Sequence, residues 1–163
     1  MAQVYISLGS NVDREFHVKQ GLLSLAARYG KLTLSSLFES EAVGFAGSAF
    51  YNMVVGLQTD DSVESVAASL REIEYANGRS PDAKKYSPRT LDLDLLLYDD
   101  LIMEQPAQIP RDEICLNAFV LWPLAEIAGD RLHPVLKQSY DELWQAYDKS
   151  SQKLQKIHLS WQM

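Results

Sequence analysis

Hydrophobic residues follow two periods in the N-terminal half of the chain, one typical of strands and one typical of helices. Residues 4–8 form a short apolar run that predicts a strand, and the turn-forming stretch 9–11 ends it. Residues 32–38 alternate apolar and polar side chains, which predicts a second strand. Between these strands we predict a helix, because apolar side chains recur at helical spacing up to Gly30. Its apolar face comprises Val18, Leu22, Leu25, Ala26 and Tyr29.

A second unit of the same kind follows. Residues 51–57 predict a strand, and Asp61 or Ser62 provides the N-cap of a helix that ends at Gly78. The helix has an apolar face at the expected spacing. That face comprises Val63, Val66, Ala67, Leu70 and Ile73.

The rest of the chain carries weaker patterns. Residues 79–88 are polar and contain two prolines, which predicts a mobile loop. Residues 90–98 predict a strand, with residues 101–103 as its hairpin partner. Residues 140–147 predict a helix, and the last dozen residues show no pattern that predicts an element.

Two β-α-β units in succession favour an α+β fold, a ferredoxin-like antiparallel sheet with helices packed on one face. A parallel, doubly wound sheet is the alternative, although two strong helices before residue 90 are too few to cover both of its faces. The 163 residues suit a single domain spanning 1–163.

Composition narrows the functional classes. The formal net charge of −7 argues against a nucleic-acid-binding domain, which usually carries a basic excess. No apolar stretch approaches the roughly 18 residues of a membrane span. The first residues lack the segments of a signal peptide, and Cys115 is the one cysteine, so we expect a cytoplasmic protein in which Cys115 packs in the core.

The most informative segment is residues 88–98, PRTLDLDLLLY. Side chains alternate between the faces of a strand, so four leucines should enter the core while Asp92 and Asp94 share the other face. Aspartate is a poor strand former, and two on one strand need a reason. Paired carboxylates of this kind can hold magnesium for phosphoryl-type transfer. The alternative is a solvated face on which two charges discourage edge pairing.

Basic residues precede this acidic strand, at Arg79, Lys84, Lys85 and Arg89. Positive charge beside a carboxylate pair suits a polyphosphate with its metal, although a solvated charged loop would look the same. The chain has no GxxxxGK, GxGxxG or GxSxG motif, and its three histidines are scattered. We expect His133, which precedes a proline, to be structural.

These residues resemble the 6-hydroxymethyl-7,8-dihydropterin pyrophosphokinase family of folate biosynthesis. The most specific match is PRTLDLDLLLYDD at 88–100, supported by YISLGSN at 5–11, FYN at 50–52 and AFVLWPLAEIAGD at 118–130. The resemblance implies a ferredoxin-like fold with a mobile catalytic loop. It also implies transfer of pyrophosphate from ATP to the hydroxymethyl group of a dihydropterin, with release of AMP. We further expect a monomer without nucleic-acid or membrane partners.

The resemblance also implies residue roles. Asp92 and Asp94 hold two magnesium ions that bind with ATP, and Arg79 and Arg89 stabilise the transferring phosphates. The pterin is bound by Asn52, by the aromatic pair Phe50 and Phe119, and by Val43. The nucleotide is contacted by Glu74, Lys85, Tyr86, Arg89 and Arg111. Without the resemblance, Phe50 and Phe119 would be read as core residues and Glu74 as a solvated helix end.

The chain departs from the family pattern on the nucleotide side. Pro81 and Lys85 stand where the family usually has arginines, and Asp112, Glu113 and Asn117 where it usually has basic residues or histidine. We therefore expect slower turnover than in a standard member. Two other functions are weighed against the pyrophosphokinase. One is a pterin-binding paralogue with weak or no turnover, and the other is a metal-dependent phosphohydrolase or nuclease.

Overall fold

Six strands form one sheet in the computed structural model, which describes residues 1–40, 49–78, 90–105, 107–151 and 154–157. The strands lie in the order β5-β1-β4-β3-β6, with the short β2 paired to β4. All pairings are antiparallel, which confirms the predicted α+β class and excludes the doubly wound sheet. The strands are β1 Ala2–Ser10, β2 Thr33–Leu34, β3 Leu37–Ser40, β4 Phe50–Thr59, β5 Asp92–Tyr98 and β6 Leu154–Ile157.

Five α-helices accompany the sheet in the described part of the chain. Gly30 ends the first with φ of 85°, a conformation that glycine adopts without steric cost. Ser62 caps the second, and its side chain accepts a hydrogen bond from the amide of Ser65. The helices are α1 Arg14–Tyr29, α2 Val63–Ala76, α3 Glu113–Leu116, α4 Ala118–Ala128 and α5 Tyr140–Ala146, with a 3₁₀ turn at Lys149–Ser151.

The larger core lies between one face of the sheet and helices α1 and α2. Every second residue of the central strands enters it, as the alternating patterns predicted. The buried core side chains from β1, β4 and β5 on this face are Ala2, Val4, Ile6, Leu8, Met53, Val55, Leu57, Leu93 and Leu95.

Helices also cover the opposite face, so the prediction of helices on one face only is wrong. Tyr5, Val54 and Leu97 point to that side and pack against α4, α5 and Ile114 of α3. The sequence did not predict α3 and α4, because residues 118–128 are apolar almost throughout and show no helical period. A helix that is apolar on most sides is buried on most sides, which α4 is.

Four further expectations are corrected. The predicted strand at 32–38 is interrupted at Ser35 and Ser36, so two strands form there, β2 and β3, and both pair with β4. Residues 101–103 form no hairpin strand with β5, and Met103 instead makes an isolated bridge to Ile109. The register of β5 on β1 shifts beside Tyr5, so Leu97 enters the second core rather than the first. The patternless C-terminus supplies β6, an edge strand on β3.

Two single-residue expectations are confirmed. His133 is buried, and its Nδ1 accepts hydrogen bonds from the amides of Val135 and Leu136, which is a structural role. Cys115 is half-buried against the second core, and burial raises the pKa of its thiol. The predicted mobile loop at 79–88 lies outside the described residues. Among the residues that the structure describes, no helix is long and apolar enough to cross a membrane.

Candidate functional site

The second face of the sheet is apolar at one end and polar at the other. The apolar end, around Tyr5 and Val54, lies under α4 and α5. At the other end β1 contributes Ser7 and Gly9. These residues have a neighbouring strand on each side, because β1 lies between β5 and β4. Register pairs Ser7 with Asp94, and Gly9 with Asp92 on one side and Asn52 on the other. We call this set, with Ser40 and Phe50, the polar end.

Asp92 and Asp94 share the polar end, as the Leu/Asp alternation predicted. Both are half-buried, while Leu91 and Leu93 beside them are buried in the larger core. The carboxylates are therefore held on a rigid strand and still open to a ligand. Asp92 and Asn52 lie two strands apart, a separation of roughly 10 Å at strand spacing.

Arg111 reaches this acidic pair from the segment that follows β5. Its amide donates to the carbonyl of Leu96, which ties the segment to the strand. Its guanidinium Nη2 lies 3.6 Å from Asp94 Oδ1 and 2.9 Å from Glu113 Oε1. Desolvation lowers the pKa of Arg111, but the charges of Asp94 and Glu113 outweigh it and raise the pKa overall. Arg111 therefore carries a permanent positive charge directly beside Asp94.

Asn52 lies on the side of Gly9 that faces away from Asp92. The side chain is 5% exposed, and its Nδ2 donates to Ser40 Oγ over 2.9 Å. That bond fixes the carboxamide in one orientation. A Cβ on Gly9 would lie 2.8 Å from Asn52 Oδ1 and 3.8 Å from a ring carbon of Phe50. The absence of a side chain at residue 9 therefore leaves room for both.

The two aromatic residues that were predicted to bind the pterin lie in different layers, one in the sheet and one in the helices that cover it. Phe50 begins β4 at the polar end and is half-buried. Phe119 is in the first turn of α4, the helix that packs over β4 and β3 on the same face. Phe119 is half-buried against the second core. Both rings thus belong to the same face of the sheet, one in the sheet and one in the helix layer.

Glu74 is not the solvated helix end that the sequence without the resemblance suggested. It is 0% exposed in the last turn of α2, and its Oε2 accepts from the amide of Leu93 over 2.8 Å. Its Oε1 accepts from Arg71 Nη1 over 2.6 Å. The sequence analysis did not predict a role for Arg71, although its i,i+3 spacing from Glu74 is typical of an ion pair on a helix.

Five predicted site residues, Val43, Arg79, Lys85, Tyr86 and Arg89, lie outside the described residues. Gly78 and Thr90, which flank the segment 79–89, lie side by side. A Cβ on Gly78 would be 3.6 Å from Thr90 Cγ2. The two described residues that flank this segment are therefore close together, and Thr90 lies two residues before Asp92.

Asp92 and Asp94 suit a hard divalent cation. Carboxylate oxygens are the ligands that magnesium prefers, and magnesium usually takes one or two of them and completes its shell with water and substrate phosphate. Within the described part of the chain no group of three or more acidic, histidine or cysteine residues forms a complete metal cage. A two-carboxylate donor set is what a metal that arrives with a phosphate substrate needs.

Gly9 and Ser40 also belong to the site and were not predicted as functional. Gly9 had a signal, because a glycine inside a strand often marks a close approach of another group. No feature of the sequence pointed to Ser40, because only the pairing of β3 with β4 brings its partner Asn52 close to it.

Residues 5–129 match the family model of 7,8-dihydro-6-hydroxymethylpterin-pyrophosphokinase (HPPK). This match spans more than half of the chain. The chain belongs to the HPPK family. A 2-amino-4-hydroxy-6-hydroxymethyldihydropteridine pyrophosphokinase from Aquifex aeolicus is 30% identical over 145 residues, which are 87% of this chain and 90% of that protein.

Longer proteins contain similar segments. Folic acid synthesis protein fol1 of Pneumocystis carinii is 37% identical over 136 residues, which cover 81% of this chain and 18% of its own length. A crystal structure of Plasmodium falciparum HPPK-DHPS superposes with a TM-score of 0.72 at 14% identity, over 91% of this chain and 44% of that one. The chain thus spans less than half of that solved structure, and at this identity the likeness supports the fold alone.

Proposed function

We propose that the polar end is where this chain carries out the reaction of its family, transfer of pyrophosphate from ATP to 6-hydroxymethyl-7,8-dihydropterin in folate biosynthesis. The enzyme class is that of the HPPK family, a pyrophosphokinase. The observation that carries the assignment to this site is the register of β1, which lines up Asp92, Gly9 and Asn52 on one face. The carboxylate proposed to bind metal and the fixed carboxamide proposed to bind pterin thereby flank Gly9.

Asp92 and Asp94 hold the magnesium ions that accompany ATP, and we propose two of them. Magnesium held there would neutralise phosphate charge and favour an in-line displacement. The support is the pair of half-buried carboxylates on one strand face. Arg111, 3.6 Å from Asp94, adds a fixed positive charge for the phosphates. Arg79 and Arg89 are proposed to do the same from the segment between Gly78 and Thr90.

The pterin lies on the Asn52 side of Gly9. A flat heterocycle gains from an aromatic ring on each face and from an amide that can both donate and accept hydrogen bonds. Phe50, Phe119 and Asn52 supply these groups from the sheet and the helix layer, and Val43 is proposed to add an apolar contact. The acceptor hydroxymethyl group would then point toward Asp92, and nucleotide contacts come from Lys85, Tyr86 and Arg111.

Product analysis tests this proposal. The chain is incubated with ATP, magnesium and 6-hydroxymethyl-7,8-dihydropterin, and the nucleotide products are separated. We expect AMP, formed in a one-to-one ratio with pyrophosphorylated pterin. Formation of ADP would show an ordinary kinase, and inorganic phosphate without a pterin product would show a phosphohydrolase.

The pterin-binding paralogue without turnover is not favoured, because the relatives are named as enzymes and Asp92, Asp94 and Arg111 occupy positions that a simple pterin binder has no use for. The slower turnover expected from Pro81 and Lys85 stays a prediction, as do the monomeric state and the cytoplasmic location. Single-turnover rates of the chain and of its Pro81→Arg, Lys85→Arg double variant test the first. An unchanged rate would show that these departures do not limit catalysis.

A further inference from the structure

Glu74 combines three features that its position in a helix does not explain. It is a carboxylate with 0% exposure, and it stands in the last turn of α2, where the helix dipole is negative and disfavours an acid. A buried carboxylate without partners is costly. What its two oxygens bind must therefore stabilise it there, and among the described residues they accept hydrogen bonds from the amide of Leu93 and the guanidinium of Arg71.

The amide of Leu93 lies at the midpoint of the metal-binding pair. Among the described strands β5 lies at the edge of the sheet and pairs with β1 alone. No described strand pairs with the outward amide groups of β5, and Glu74 supplies an acceptor for the one between Asp92 and Asp94. The leucine side chain is buried in the core on the other side. This bond and the core together fix the backbone that aims the two carboxylates.

Arg71 completes the connection. Its Nη1 neutralises the buried carboxylate over 2.6 Å, and about half of its side chain is exposed (53%). Desolvation lowers the pKa of Arg71, but the hydrogen bond and charge of Glu74, with a further contribution from Asp94, raise it overall. The arginine therefore stays charged and balances both Glu74 and the nearby Asp94.

We infer that Glu74 is a positioning residue, which aims Asp92 and Asp94 through the Leu93 amide and does not itself contact the nucleotide. The inference rests on the proposed function, and it revises the nucleotide contact that the family resemblance suggested for Glu74. Both carboxylate oxygens are occupied inside the protein, and the side chain has no exposed surface to offer ATP.

The test compares three variants. Glu74→Ala removes the acceptor for Leu93. The double variant Arg71→Gln, Glu74→Gln removes both charges but keeps an amide oxygen for Leu93 and an amide–amide hydrogen bond in place of the ion pair. Glu72→Gln, on the exposed side of the same helix, is the matched control for loss of a carboxylate.

Metal binding is measured without turnover, by Mn²⁺ titration followed by electron paramagnetic resonance in the presence of a non-hydrolysable ATP analogue. We expect Glu74→Ala to weaken Mn²⁺ binding by about 10- to 100-fold, the usual effect of losing an outer-shell partner. Amide hydrogen exchange of Leu93 should quicken in the same variant, while pterin affinity is kept. The double variant should retain Leu93 protection and near-normal Mn²⁺ affinity.

Two results would overturn the inference. One is wild-type Mn²⁺ affinity in Glu74→Ala. The other is a folded double variant that keeps Leu93 protection but loses metal or nucleotide binding, because the carboxylate itself would then be the ligand contact. If Glu74→Ala does not fold, the double variant decides alone. Asp92→Asn separates the two proposals. Unchanged turnover in Asp92→Asn would refute the proposed site itself. Lost turnover in Asp92→Asn, together with unchanged Mn²⁺ affinity in Glu74→Ala, would refute only the positioning role of Glu74.

Discussion

Gly9 lies between the aspartate side and the Asn52 side of the polar end. Its strand partners are Asn52 on one side and Asp92 on the other. The lack of a side chain matters here because of space and not because of backbone angle. Any Cβ would lie 2.8 Å from Asn52 Oδ1, closer than such contacts normally come, so the carboxamide would have to move.

Gly9→Ala should therefore weaken pterin binding more than ATP binding. Overpacking costs about 1–3 kcal/mol, and a loss of binding free energy of that size corresponds to roughly a 5- to 150-fold loss of affinity. Calorimetry with each ligand checks this. Gly56→Ala is the control, because it crowds the ring of Tyr5 at the apolar end and should lower stability without changing pterin affinity. Equal losses for the two ligands in Gly9→Ala would contradict the placement of the pterin.

Asp92→Asn and Asp94→Asn should each lower turnover by at least about 100-fold, the upper end of what outer-shell substitutions cost, because each removes a metal ligand itself. The melting temperature should change little, since both side chains are half-buried at the polar end and lie outside the core. Steady-state rates at saturating magnesium give the comparison, with exposed Asp100→Asn as the control. Near-normal turnover in either variant would remove that aspartate from the metal site.

Among the elements that the sequence did not indicate is β6, and side chains from other segments hold it in place. Glu126 of α4 accepts from the amide of Ser36 over 2.6 Å and from Lys156 of β6 over 3.0 Å. Desolvation raises the pKa of Glu126, but the hydrogen bonds from Ser36 and Lys156 lower it overall. The carboxylate thus links α4, the start of β3 and the edge strand.

Glu126→Gln should lower the free energy of unfolding by about 1–3 kcal/mol, the range for hydrogen bonds to a charged group. Lys156→Gln should cost less, because the Ser36 contact remains. Urea denaturation of both variants and of the double variant forms a double-mutant cycle. Additive effects would mean that Glu126 and Lys156 do not interact in solution.

At the scale of the whole molecule, we expect acid stability to depend on His133. Desolvation lowers its pKa from the ordinary value of 6.5, and neutral Nδ1 accepts two backbone hydrogen bonds. Below about pH 6.5 the unfolded chain binds a proton that the folded chain does not. The stabilisation is therefore complete above that pH and is lost as pH falls toward the folded-state pKa.

His133→Asn keeps an acceptor for the same turn and removes the titration. Between pH 7 and pH 5 the wild-type chain should lose stability relative to this variant, by at most about 1.4 kcal/mol per pH unit. Thermal or urea unfolding across that pH range measures the difference. Parallel stability profiles for the two proteins would show that His133 does not contribute.

The sequence by itself determined the features that depend on neighbouring residues. Alternation along 91–95 determined which side chains of β5 face the core and that Asp92 and Asp94 share the other face. Helical spacing and Gly30 determined α1 in the same way. The family could also be read from short motifs, because reacting groups on one strand must keep fixed local spacing.

The tertiary structure alone decided which of these local patterns meet. Asn52 lies beside Gly9 because β1 and β4, more than forty residues apart in the chain, pair in one register, and a slip of one residue would turn Asn52 to the other face. The burial of Glu74 depends on the same kind of contact, since the amide it binds belongs to a strand nineteen residues away. A local pattern states a residue's period and polarity, whereas its partner is set by long-range packing that no window of sequence contains.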